Sequence, residues 1–414
     1  MTAVHTIPSG WKRLSLDQVA HIQTGVAKGK KNVVDPVDVP YLRVANVQDG
    51  HLDLSEVKTI TIARKDLSKY TLQVGDVLMT EGGDFDKLGR GFVWEGQIEN
   101  CLHQNHVFAV RTDKAKLHPY FLTYQAGSNY GKGYFLNCSK QSTNLASINS
   151  SQLKEYPVLL PGISEQNAIV TKLRTWDRAI LLFEKLISEK QLVRMGLMQQ
   201  LLTGNKRLPG FENTWSEVAL GELFNPVRRK NTNGETLVLT ASGEHGLVDQ
   251  AQYFNRNVAG QDLSGYFKLS RGDFAYNRSS MNGYPFGAIK RLDQHDSGVV
   301  STLYICFTPS SNICFTDFYM HLFESGILNR QLRGIVQVGA RAHGLLNVGI
   351  HDFFTLKVPC PPIEEQQQIA KVINSANKEL DLLHSQADSL REQKKGLMQQ
   401  LLTGKIRVGS GCGQ

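Results

Sequence analysis

The nine residues GLMQQLLTG occur twice, at 196–204 and again at 396–404, an offset of 396 − 196 = 200 residues. Two copies of one segment need two equivalent environments, so an internal repeat constrains the fold more than any single motif does. The same offset runs upstream without a gap. LPGISEQNAIVTKL at 160–173 lies over CPPIEEQQQIAKVI at 360–373, and Pro161/Pro361, Ile163/Ile363, Glu165/Glu365, Gln166/Gln366 and Ile169/Ile369 coincide. Further upstream the echo weakens and its offset drifts. WKRLSLDQVAHI from Trp11 resembles WSEVALGELFN from Trp215, and QVGDVLMT around Asp76 resembles SRGDFAYN around Asp273. STNLASINSSQLKEYPVLLP from Ser142 likewise resembles AHGLLNVGIHDFFTLKVPCP from Ala342. Each half is therefore a variable block followed by a near-constant segment.

The constant segments have the pattern of long helices. In the first, Ile169, Leu173, Trp176, Ile180, Phe183 and Ile187 are spaced alternately four and three, followed by Leu197 and Leu201. In the second, Ile369, Ile373, Ala376, Leu380, Leu383, Ala387, Leu390, Leu397 and Leu401 keep the same frame. Alternating 3–4 spacing sustained over several heptads is a coiled-coil seam. Lys190, Arg194 and Lys394 interrupt it, a local polar cost that can set register. Pro161 and Pro361–Pro362 stand where a helix begins, with Glu just after them at the positive end of the dipole. Gly204 and Gly404 stand where it stops. Each helix spans about 40 residues, on the order of 60 Å. The first ends where the second block begins, and the second starts at the far side of that block. Packing the two seams together then makes them antiparallel.

The blocks themselves read as mixed α/β. Strand-like composition marks PYLRVANV, DVLMTE and NHVFAVR in the first, and TLVLTA, DFAYNRS, VVSTLYICF and FFTLKVP in the second. The expected fold is two globular α/β domains separated by two long antiparallel helices forming a coiled coil, with a pseudo-twofold internal repeat. Residues 1–160 form the first block, 161–204 the first helix, 205–360 the second block and 361–404 the second helix. Residues 405–414, ending GSGCGQ, form a flexible tail.

The chain has 414 residues, with Lys and Arg at 46 against 38 for Asp and Glu, a net charge of +8. Such an excess suits a polyanionic partner. No apolar run near the start serves as a signal peptide and none is long enough to cross a membrane, so a cytoplasmic protein is expected. The six cysteines form no CxxC pair, which points to reduced thiols and no zinc site. Catalytic devices are missing: TGVAKGKK from Thr24 fails the phosphate-loop spacing, and HExxH, GxSxG and GxGxxG are absent. Asp84 and Asp86 stand in a glycine-rich polar loop. His103 and His106, three apart, fall on opposite faces of a strand, so no metal is expected between them.

What remains is a set of basic, glycine-broken loops on both blocks. Lys30, Arg43, Asn46, Lys87 and Arg90 mark the first, and Arg228, Asn277, Arg278, Ser279, Arg341 and His343 the second. Arg, Lys, Asn and Ser are residue types that reach phosphates and base edges, so together they point to DNA.

A variable block ending in a strand and Pro-x-x-x-x-Gln, then a long helix closing on LMQQLLTG, all of it done twice, resembles the specificity (S) subunit of type I restriction-modification systems. The resemblance covers essentially the full chain. PYLRVANVQDG, TEGGDFDKLGRG, LHQNHVFAVR and SKQSTNLASINSSQL are similar to text from a first target-recognition domain of that family. The resemblance implies that each block reads half of a split, asymmetric DNA site. It implies that the helices set the spacer and dock two modification subunits carrying S-adenosylmethionine, which methylate adenine N6. Restriction subunits using ATP and magnesium join them, and this chain itself holds no cofactor, metal or catalytic residue. A DNA-binding regulator, a scaffold without methylase partners and an enzyme with an unfamiliar site are the competing readings.

Overall fold

In a computed structural model of the chain, the described residues are 7–28, 33–83, 85, 88–141, 146–243, 245–256, 259–310, 312–336 and 346–408. They fall into two compact units, Met1–Glu184 together with Ser385–Gln414, and Lys185–His384. The cuts lie 200 residues apart, and each passes through one of the two long helices, Ile163–Leu201 and Ile363–Leu401.

In the first unit, strand Lys12–Ser15 pairs antiparallel with Pro157–Leu160, the strand that leads into the first long helix. A four-stranded antiparallel sheet takes the order Ala20–Thr24, Val107–Thr112, Val77–Thr80, Gly91–Val93. A second sheet joins Lys58–Ala63, Pro36–Leu42 and Leu102–His103. Helix Pro119–Gly127 covers the first sheet, and Asn129–Cys138 packs beside it. The former starts because Pro119 fits the first turn, where no backbone N–H is needed, and the His118 ring accepts from Tyr120 N. Val77 to Met79 are buried on both faces, which is why VLM reads as a continuous apolar run rather than an alternation. Phe135 stacks on Tyr156 at 5.0 Å in the core beneath.

The second unit repeats this plan. Ser216–Ala219 pairs with Lys357–Cys360, and the four-stranded sheet runs Phe224–Pro226, Ile305–Pro309, Phe274–Asn277, Ala288–Arg291. Two expected strands differ here. VVSTLYICF is not one strand: Ser297–Val300 pairs with Phe267–Ser270, and Ile305–Pro309 joins the four-stranded sheet after a turn at 301–304. Tyr304 N bonds back to Ser301 O, a local turn that apolar content alone does not reveal. In FFTLKVP the two phenylalanines end a helix, Ile350–Phe354, and only Lys357–Cys360 is strand. Phe353 is fully buried and stacks on Tyr276 at 5.0 Å, so its apolarity serves a helix face.

The helices are antiparallel within each unit. In the first, Asp177 meets Lys394, and Glu184 meets Arg391 at 2.6 Å. In the second, Lys190 meets Glu379 at 2.5 Å, and Arg194 Nη1 donates to Asn377 Oδ1 at 3.1 Å. All three polar interruptions of the seam are thus partnered across it. The fifteen seam residues Ile169, Leu173, Trp176, Ile180, Phe183, Ile187, Leu197, Leu201, Ile369, Ile373, Leu380, Leu383, Leu390, Leu397 and Leu401 are all buried or half-buried.

The repeated nine residues have a role beyond the seam. Leu201 and Leu202, with Met198 beside them, sit in the core of the second block. Leu401 and Leu402 sit in the core of the first. Each core also takes the opening turns of the other helix, Ile369 and Ile373 in the second unit and Ile169 and Leu173 in the first. Every block is therefore closed by the start of one helix and the end of the other.

Glu and Gln at the repeated positions fasten these joints. Gln166 accepts from His118 N and donates to Lys116 O and Pro161 O, while Gln366 accepts from Phe315 N and donates to Ile313 O and Pro361 O. Glu165 receives Arg407 and the Trp11 indole, and Glu365 receives Arg207 and the Trp215 indole. Gly204 and Gly404 end the helices at φ +72° and +68°, the left-handed conformation that favours glycine.

Candidate nucleic-acid interface

In the first block, the register of the four-stranded sheet brings Thr24, Thr80, Gly91 and Val107 to the same end: Thr24 lies opposite Phe108, Thr80 opposite Val107 and Met79 opposite Gly91. Three connections leave from that end: the Lys28 segment, the hairpin loop 81–90 and the turn 103–106. Backbone bonds tie them together, from Val26 N to His103 O at 2.8 Å, Asn105 N to Val26 O at 3.0 Å and Glu81 N to His106 O at 3.0 Å. A fourth segment joins when Gly82–Gly83 pairs with Ala146–Ser147 and Ile148 N donates to Glu81 O at 2.8 Å. The two glycines permit this approach, because a Cβ on Gly82 would stand 2.6 Å from Ala146 O.

The second block builds the same cluster at the end marked by Asn277, Ala288 and Ile305. The hairpin loop 278–287, the turn 301–304 and the segment from Leu346 meet there, and Leu346 N donates to Arg278 O at 2.7 Å. Arg278 Nε donates to Leu303 O at 2.6 Å and its Nη1 to Val348 O at 3.2 Å. At the other end of the hairpin loop, the Tyr284 hydroxyl donates to Glu324 at 2.6 Å. Lys290, buried, gives its ammonium to Glu324 at 2.6 Å and to Gly243 O and Tyr284 Oη at 2.8 Å each. A cavity of about 260 Å³ lies beside this network, lined by Gly283, Tyr284 and Gly287 of the loop and by Phe323 and Asn329.

Of the residues expected at DNA, Lys30, Lys87, Arg341 and His343 lie outside the described residues, as do Asp84, Asp86 and residues 409–414 of the expected tail 405–414. Within that tail Arg407 is held by Glu165 and Val408 packs on the first core. The structure gathers Asn277, Arg278 and Ser279 into one cluster and places Arg90 where the equivalent hairpin loop of the first block returns to the sheet. Asn277 Nδ2 donates weakly to Met281 Sδ at 3.4 Å, and Arg90 is half-buried with its Nε making no hydrogen bond. Arg43 and Asn46 belong to a different construction. Asn46 is buried, accepts from Arg43 N and donates to Asp53 O and Glu56 O, while Arg43 reaches Glu56 at 3.4 Å. Their polar groups serve the turn they stand on. Arg228 is exposed, and its neighbours have other partners, Arg229 pairing with Asp273 and Lys230 donating to Gly265 O.

His103 and His106 do not share a strand, which ends at His103, and His106 lies in the turn after it. His103 is buried against Val107 O, and His106 sits outside on Glu81 at 2.6 Å. Burial pushes the His103 imidazole below its ordinary range. Among the described residues, no group of three or more His, Cys, Asp or Glu could hold a metal ion, and no helix is long and apolar enough to cross a membrane. Glu81, Tyr284, Lys290 and Glu324 were not singled out by sequence reasoning, and His106 only as one of a histidine pair. The echo of VGDVLMT in RGDFAYN was the available signal. Asp76 and Asp273 start equivalent strands, each accepting the backbone N–H three residues before it, and so mark equivalent loops after them.

The sequence family described as type I restriction modification DNA specificity domain matches twice, over residues 8–190 and 212–391. The type I restriction enzyme MjaX specificity subunit of Methanocaldococcus jannaschii is 25% identical over 98% of this chain and 96% of its own length. The MjaVIII specificity subunit of the same organism is 31% identical over 67% of this chain and 68% of its own. A chain from a structure reported as the structural basis underlying complex assembly and conformational transition of the type I R-M system shares the fold. Its TM-score is 0.62 at 15% identity, covering 97% of this chain and 100% of that one. With two domain matches that together span most of its length, the chain belongs to the type I restriction-modification DNA specificity family.

Proposed function

We propose that each block reads one half of a bipartite, asymmetric DNA site through the loop cluster at the end of its four-stranded sheet. The observation that supports this most is the convergence, in each block separately, of a glycine-containing hairpin loop, a strand-to-strand turn and a later polar segment. Such a cluster carries residue types that reach phosphates and base edges, while the net charge of +8 supplies phosphate attraction. The helices set the spacer between half-sites and dock two modification subunits that bind S-adenosylmethionine and methylate adenine N6. Restriction subunits using ATP and magnesium complete the assembly. Target adenines must leave the stack to be methylated, a task for the catalytic pockets of the modification subunits.

A surface on the first long helix supports docking. In the second unit Leu192, Val193 and Met195 are exposed at 61, 57 and 52%. At the equivalent places the second helix carries Glu392, Gln393 and Lys395. Apolar side chains retained in solvent here, where the second helix is polar, support a partner surface on the first.

Methylome sequencing of cells carrying this chain with its modification partner tests the reading, which requires one split motif. Adding one turn to both helices should change the spacer and leave both half-sites intact. An unsplit motif, or tight selective binding by the chain alone, overturns it.

A further inference from the structure

We propose that Arg278 is a positioning residue for half-site reading rather than a base-contacting one, and that the Glu81–His106 pair performs the same task in the first block. This rests on the reading that the sheet-end loops meet DNA. Arg278 is the first residue after strand Phe274–Asn277, where the hairpin loop opens. Its three polar contacts tie the loop to two other pieces of chain, the turn 301–304 and the segment 346–348. The carbonyl takes Leu346 N at 2.7 Å, Nε donates to Leu303 O at 2.6 Å, and Nη1 donates to Val348 O at 3.2 Å. A guanidinium directed at two backbone carbonyls has committed its planar fork to holding loops in register.

Glu81 is the first residue after strand Val77–Thr80 and therefore occupies the equivalent place. Its carbonyl takes Ile148 N at 2.8 Å, the counterpart of the Leu346 bond. Its carboxylate takes His106 Nδ1 at 2.6 Å, from the turn that corresponds to 301–304. The charge at the position is reversed and the chemistry different, yet the same three segments are joined. Two unlike side chains making the same three-way tie indicate that the tie is what both blocks require. Direct base contacts then fall to residues farther along each loop, such as Ser280 and Asn282, which present side chains without committing to the frame.

The distinction has a clear readout. An arginine reading a guanine specifies one base pair, so its loss relaxes one position of the half-site. A loop clamp affects every position that its loops read. The experiment compares methylomes of cells carrying the full chain, with its modification partner, as wild type, Arg278→Ala, Arg278→Lys, His106→Ala and Asn282→Ala. Arg278→Ala should reduce discrimination about tenfold at two or more base pairs of one half-site while the other stays intact. Arg278→Lys, which can still reach a carbonyl, should restore part of it. His106→Ala should do the same to the opposite half-site. Relaxation at a single base pair, or an unchanged motif, in Arg278→Ala overturns the clamp. Should Arg278→Ala fail to assemble, Arg278→Lys and His106→Ala decide by the same criterion. Asn282→Ala tests the underlying reading separately. If it alters a half-site and Arg278→Ala does not, the loops read DNA without the clamp. If both leave the motif unchanged, the loop reading itself fails.

Discussion

Glu365, fully buried, accepts Nε and Nη2 of Arg207 at 2.7 Å each, across 158 residues of chain. The indole of Trp215 donates to the same carboxylate at 2.8 Å. The arrangement recurs with Glu165, Arg407 and Trp11. These two joints fasten the start of one helix to the chain leaving the other. Removing a guanidinium strands a buried carboxylate, so Arg207→Ala should cost about 3 kcal/mol in urea unfolding. Arg407→Ala should cost less, because Glu165 keeps contact with water. Equal losses would show that burial of the acid does not govern the joint.

The helix ends act as core residues. Leu202 and Leu402 have no exposed surface, each within the core of one block. Leu202→Ala and Leu402→Ala should each destabilise by about 2–5 kcal/mol, measured by denaturant unfolding. Losses under about 0.5 kcal/mol, as for exposed positions, would mean the repeated segment ends in solvent.

Gly204 and Gly404 both require a positive φ, but their surroundings differ. A Cβ at Gly404 would stand 2.4 Å from Pro8 Cγ, against 3.1 Å from the Trp215 ring at Gly204. Alanine at either site should lower Tm, through about 1 kcal/mol of backbone strain at the least. Gly404→Ala should lower it further, since the proline ring must move. Scanning calorimetry of the two variants checks the order.

Burial holds the imidazoles of His103 and His321 below their ordinary range. Between that depressed value and the ordinary one near 6.5, the unfolded chain binds more protons than the folded chain. Stability is thus fully present above about pH 6.5 and declines as pH falls below it. Tm at pH 5.5 should lie below that at pH 7.5, and His103→Gln and His321→Gln should each flatten the slope. A slope untouched by both would assign the acid sensitivity to other groups, the carboxylates and His118 among them.

The repeated letters determined the two long helices, their seam and their stops. Those features are periodic and local, and Ile169, Leu173 and their +200 partners carry them without reference to anything distant. The same letters could not disclose that Leu402 completes the first block's core, since that closure joins residues hundreds apart. Nor could Arg43, Asn46 and Arg278 be separated from free surface polar groups by type alone. What an arginine does depends on which carbonyls and carboxylates lie within about 3 Å of its guanidinium, and folding sets those distances. The strand ends of Thr80 and Asn277 turned scattered polar loops into one cluster per block, because register, a relation between strands, decides which loops emerge together.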